Sequence, residues 1–128
     1  MPKWSDYLSA ARERGSLAFE VFCVVSVPTG DPDLLQRTLP DHLAYQKDLE
    51  DRGVLMFAGP LSDESGENME GMGMMIYRAA SFEAARGFAE SDPMHKVGAR
   101  QFTLRRWMIN EGNVTIDVKL AAQTAGLR

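Results

Sequence analysis

The chain has 128 residues, 45% hydrophobic and 25% charged, the balance of one globular domain rather than of a disordered or membrane-embedded chain. A net charge of −4, with the arginines scattered along the chain, leaves no basic stripe for a phosphate backbone, so no nucleic-acid partner is expected. The single cysteine, Cys23, excludes a disulfide framework and fits a reducing, cytoplasmic setting; no apolar run is long enough to span a bilayer, and "MPKWSDYLSAARERG" lacks a signal peptide's apolar stretch.

Ser5 to Arg14 reads as a short helix stopped by Gly15, an appendage to the rest of the chain. Leu17 to Val27 reads as a strand with apolar side chains on both faces, closed by the turn signal "PTGDP". From Asp33 to Arg52 the spacing becomes helical: Leu35, Leu39, His42, Gln46 and Leu49 fall three or four apart. Thr38-x-x-Asp41 has the form of a capping box, with Pro40 in its first turn, so the helix starts there or bends there. Val54 to Ala58 is the second strand, ended by Gly59-Pro60, and "SDESGENMEG" is a mobile connection.

Met72 to Tyr77 forms the third strand, and Ser81 caps a second helix, Phe82 to Glu90, which "SDP" ends because Pro93 biases Asp92 toward extended geometry. Residues 101 to 109 form the fourth strand. The alternating tail "VTIDVKL" suggests an extra edge strand or an arm on a partner, with residues 121 to 128 frayed. These elements divide the chain into an N-terminal helical extension (1–16), a main domain (17–112) and a tail (113–128).

Strand, helix, strand, strand, helix, strand is the order of the ferredoxin-like α+β fold, an antiparallel sheet with both helices on one face. The opposite face is also apolar, and leaving such side chains wet costs roughly 1.5–3 kcal/mol each, which predicts that a second copy covers it. The same topology brings three remote segments to one end of the sheet: the early part of the first long helix with His42, the exit of the second strand at Gly59-Pro60, and the loop holding Asp92.

The series "DHLAYQKDLEDRGVLMFAGPL", "GMGMMIYRAASFEAARGFAESDPM" and "LRRWMI" resembles the YciI-like (YCII-related) proteins over about Phe19 to Asn110. The resemblance implies a ferredoxin-like fold that dimerises into an α/β barrel, related to muconolactone isomerase and to a chlorohydroxyhydroquinone dehydrochlorinase. It also implies His42 and Asp92 as an active pair, although many members have no established reaction.

A histidine at the rim of an apolar hollow, with a carboxylate on its far nitrogen, has the fixed tautomer that a general base needs. The alternative is a satisfied core histidine beside an aspartate that caps backbone. Tyr45, Gly59, Pro60 and Arg106 are candidate substrate-binding residues, Arg106 as a holder of an anionic group. His95 is expected in an exposed turn, outside the site. Neither the dispersed histidines and cysteine nor the methionines form a metal site, and "GMGMMI" fails as a dinucleotide loop, so no metal or cofactor is expected.

The leading functional expectation is therefore a cofactor-free lyase or isomerase acting on a small organic acid or a phenolic or lactone-like substrate. The principal alternative is a non-enzymatic ligand-binding or assembly module, and a third is an oxygenase of the same barrel type.

Overall fold

A computed structural model describes the whole chain, Met1 to Arg128. Its elements are α1 (Trp4–Glu13), β1 (Phe19–Pro28), α2 (Pro32–Asp51), β2 (Leu55–Ser62), β3 (Met69–Tyr77), α3 (Phe82–Ser91), α4 (Pro93–Lys96), β4 (Arg100–Ile109), β5 (Ile116–Lys119) and β6 (Thr124–Leu127). The main sheet has the order β2-β3-β1-β4, the ferredoxin-like arrangement.

Local chemistry explains where these elements begin and end. The Asp31 side chain accepts from the Leu34 amide at 3.1 Å and Pro32 occupies the first turn, so α2 starts before the Thr38-x-x-Asp41 sequence and runs through Pro40 without restarting. Thr38 caps nothing. Its hydroxyl donates to the Leu34 carbonyl at 2.7 Å inside the helix, the back-bonding that a mid-helix threonine favours.

Strand β2 does not end at Gly59-Pro60, as its residues led us to expect, but continues to Ser62. Proline is tolerated because β2 is an edge strand with only one neighbour. The connection to β3 is an ordered turn around Asp63, whose carboxylate accepts from the Ser65 amide and hydroxyl and from Asn68.

Strand register decides which side chains face the helices. Phe22 lies opposite Tyr77, Val24 opposite Met75 and Ser26 opposite Gly73, so these pairs share one face. Phe22, Val24, Met75 and Tyr77 form the core with Leu49 of α2 and Ala85 and Ala89 of α3. Tyr77 is fully buried, edge-on to Phe88 with ring centres 6.2 Å apart. The other face carries Cys23 opposite Ile76, with Phe57 across the next strand, and Val25 opposite Met74.

Two compact units are present, one made of residues 20–107 and the other of residues 1–19 with 108–128. Within the second unit, the Leu17 amide donates to the Asn110 carbonyl at 3.3 Å. Its tail is not frayed: β5 pairs with β6 as an antiparallel hairpin, extended by reciprocal hydrogen bonds between Thr115 and Arg128.

Candidate functional site

At one end of the main sheet, His42 of α2 meets Asp92, which occupies the joint between α3 and α4. Pro93 disfavours helical backbone at the residue before it, and Asp92 accordingly adopts φ −60°, ψ 126°, which breaks the helix and presents its carboxylate. Oδ1 lies 2.8 Å from His42 Nδ1 and also accepts from the Met94 amide at 3.0 Å. One oxygen thus caps α4 and orients the imidazole, so holding the histidine and capping backbone, alternatives at the level of sequence, fall to the same atom. The second oxygen, Oδ2, is buried with no hydrogen-bond partner.

The pair is asymmetric in solvent access, with side-chain exposures of 16% for His42 and 0% for Asp92. A carboxylate only accepts, so the proton between them belongs to His42 Nδ1, and in the neutral ring Nε2 keeps its lone pair. Nε2 makes no hydrogen bond within the protein, and His42 lines a cleft of about 340 Å³ between α2 and the β2–β3 hairpin. Leu39 and Leu43 line the helix side, and Met75, on the helix-facing side of β3, and Met94 of α4 add to the remaining wall.

A second network lies on the same face. His95 Nδ1 donates to the Ala89 carbonyl at 2.7 Å, which leaves Nε2 to accept from the Ser26 hydroxyl at 2.8 Å. Arg100 Nε donates to that same hydroxyl oxygen at 2.9 Å, and Ser26 and Arg100 both line the cleft. His95 is therefore not exposed, as its place after Pro93 had suggested. It is partly buried against the Phe102 ring, 4.7 Å between centres, because α4 turns it back over the sheet.

Burial lowers the His95 pKa from its ordinary 6.5, outweighing the opposing pull of the Ala89 carbonyl and Asp92. The unfolded chain then binds the extra proton first, so the stability held by neutral His95 is present above about pH 6.5 and lost as the pH falls toward the lowered folded value. In thermal melts between about pH 7.5 and pH 5, wild type should lose more stability than His95→Gln. Parallel profiles for the two proteins would contradict this assignment.

Of the other expected site residues, Gly59 and Pro60 line the cleft, from within β2. Tyr45 does not: its hydroxyl donates to the Phe88 carbonyl at 2.7 Å, and burial, then the charge of Asp92, raises its pKa. Arg106 is also outside the cleft, because its position in β4 carries it 3.7 Å from Glu20 and over the Phe82 ring. Cys23 is free, its thiol pKa raised by burial, which suits packing more than nucleophilic attack.

Of the residues at this end of the sheet, sequence reading weighed His95 and set it outside the site, and it passed over Ser26 and Arg100. Both of the latter left a signal in strand parity. Ser26 continues the inward series Phe22, Val24 at the strand's end, and Arg100 precedes the inward Phe102 and Leu104 by the same two-residue step. No group of three or more His, Cys, Asp or Glu is placed to hold a metal ion, and no helix is long and apolar enough to cross a membrane.

Comparison with known proteins gives two findings. The family model of the YCII-related domain matches residues 21–108. Among solved structures, the chain is similar to 5-chloro-2-hydroxyhydroquinone dehydrochlorinase from Burkholderia phenoliruptrix AC1100, in complex with 2,5-dihydroxybenzoquinone: 24% identity, TM-score 0.55, covering 68% of this chain and 92% of that one. At that identity the likeness concerns the fold. No curated protein matches the chain.

Proposed function

The chain belongs to the YCII-related family, and from that membership and the geometry of the cleft we propose that it is a cofactor-free lyase or isomerase using His42 and Asp92 for general acid–base chemistry. The carrying observation is the 2.8 Å bond that holds one imidazole nitrogen on a buried carboxylate and leaves the other nitrogen free at a cleft. Nε2 takes a proton from a carbon beside a carbonyl, and Asp92 stabilises the imidazolium that forms. Return of that proton at another carbon completes an isomerisation. Expulsion of a leaving group completes an elimination, after which His42 gives its proton to solvent.

A small cyclic substrate, such as a hydroxylated ring or a lactone, suits the space available. Small-molecule sites span roughly 300–1,000 Å³, and 340 Å³ is at the low end of that range. The similar dehydrochlorinase is described with a dihydroxybenzoquinone, a ligand of this size class. The test is proton NMR in deuterium oxide with a panel of hydroxyquinones, chlorinated hydroxyhydroquinones and small lactones. Protein-dependent deuterium uptake, chloride release or double-bond migration is the expected result; a panel that stays unchanged would sink the enzymatic reading and leave a ligand-binding module.

We also propose a homodimer through the sheet face opposite α2 and α3, in a cytoplasmic setting that the unpaired Cys23 favours. Phe57 and Trp107 are exposed there, and Cys23, Val25 and Met74 are only partly buried. The β5–β6 hairpin exposes Val114, Ile116, Val118 and Leu127, and serves as an arm on a second copy. Sedimentation at micromolar concentration should give twice the chain mass of 14.2 kDa; a single-chain mass would refute the dimer.

A further inference from the structure

We infer that Arg100 selects the occupant of the cleft, holding the negative end of a small organic anion whose apolar body lies against Leu39, Leu43 and Met75. The inference deepens the acid–base reading and rests on it for the identity of the site.

Three donated hydrogen bonds fix the guanidinium. Nε donates to Ser26 Oγ at 2.9 Å, and Nη2 donates to the Ser26 carbonyl at 2.9 Å and to the Gly71 carbonyl. All three acceptors are neutral oxygens. Nη1 has no partner within the protein, and the ion pairs of the chain leave Arg100 without a carboxylate. Asp92 acts on it through space alone: Oδ1 is bonded to His42 and the Met94 amide, and Oδ2 makes no hydrogen bond to Arg100 or to any other group.

A partly buried cation without a counter-charge is unfavourable unless something else neutralises it. Burial lowers the Arg100 pKa for that reason. No Asp or Glu lines the cleft, so its charged lining is the cation alone. A carboxylate or ring enolate at Nη1 supplies the missing partner with a charge-assisted hydrogen bond.

The supports of Arg100 are themselves fixed. Ser26 accepts from Arg100 and donates to His95, whose other nitrogen is held by Ala89, so the hydroxyl has one consistent orientation. Gly71 has φ +88°, and a Cβ there would lie 2.9 Å from Pro28 Cγ, so only glycine presents its carbonyl at this point without strain. Ser26 and His95 are positioning residues, acting on the ligand through the guanidinium.

The test compares benzoate with benzamide, near-isosteres that differ in charge, by isothermal titration at pH 8. Wild type should bind benzoate at least about tenfold more tightly, the order expected of one charge-assisted contact. Arg100→Gln should remove that preference, and Arg100→Lys should restore part of it. Ser26→Ala, which keeps the charge but frees it, should weaken benzoate several-fold and leave benzamide unchanged.

Equal affinities in wild type, a preference that survives Arg100→Gln, or no benzoate binding at millimolar concentration would each overturn the inference. Should Arg100→Gln fail to fold, the Ser26→Ala and Arg100→Lys titrations decide alone. Proton exchange without charge preference would defeat the role of Arg100 and leave the His42 mechanism standing; charge preference without exchange would do the reverse.

Discussion

Asp92→Asn should lower turnover roughly 10²–10⁴-fold, the range for loss of one positioned acid–base group, with kcat falling far more than KM rises. The asparagine side chain keeps an oxygen that accepts from the Met94 amide, so the cap on α4 survives. What disappears is the negative charge 2.8 Å from His42 Nδ1, and with it the stabilisation of the imidazolium formed when Nε2 takes a proton. The new amide N–H₂ in the place of Oδ2 enters a buried position without a partner, costing about 1–3 kcal/mol of stability.

His42→Gln should match the loss of turnover at a smaller stability cost, since its side-chain amide keeps a donor for Asp92 Oδ1 in place of the imidazole. Measuring kcat, KM and a denaturation curve on both variants separates chemistry from folding. Equal turnover in wild type and His42→Gln would exclude this pair as the proton-transfer machinery.

Tyr77→Ala should cost about 3–5 kcal/mol, the range for deleting a fully buried aromatic side chain, against a total stability that for a domain of this size is about 5–15 kcal/mol. The ring is where the inner sheet face meets α3: it lies opposite Phe22 in register, packs edge-on to Phe88, and shares the core with Leu49 of α2. Tyr77→Phe keeps the ring and loses only the 3.5 Å hydroxyl contact to the Met75 sulfur, so its cost should stay below about 1.5 kcal/mol. Urea unfolding of the three proteins reads both effects. A near-neutral Tyr77→Ala would mean that the core closes around α3 without depending on this ring.

Much of this arrangement was legible because patterns of period two and period 3.6 are written in side-chain chemistry. The apolar, β-branched and aromatic run of residues 17–27 and the leucine spacing around His42 named the strand and the helix, and element order then placed His42, Gly59-Pro60 and Asp92 at one end. Boundaries were less legible, because they depend on neighbours that sequence does not display. Pro60 looked like a strand terminator until its strand proved to be the edge, and Thr38-x-x-Asp41 looked like a cap until Asp31 and Pro32 supplied an earlier one.

Single side-chain directions were the least legible. Tyr45 and Arg106 carry suitable chemistry but are spent on Phe88 and Glu20, whereas Arg100 enters the cleft through the parity of a strand whose first residue had been placed one position later. His95 was misjudged because the four-residue helix that turns it inward is too short to leave a periodic signature.

Met75 and Met94 bring thioethers to the cleft that His42 lines. Unbranched, polarisable methionines adapt their shape by rotating about single bonds, without moving the backbone that carries them. Such a lining grades its guests rather than sieving them: across a set of ring compounds bearing hydrogen, methyl or halogen substituents, affinity should change in small steps. Discrimination would then fall to the rigid polar end of the pocket, leaving breadth of acceptance to the soft one.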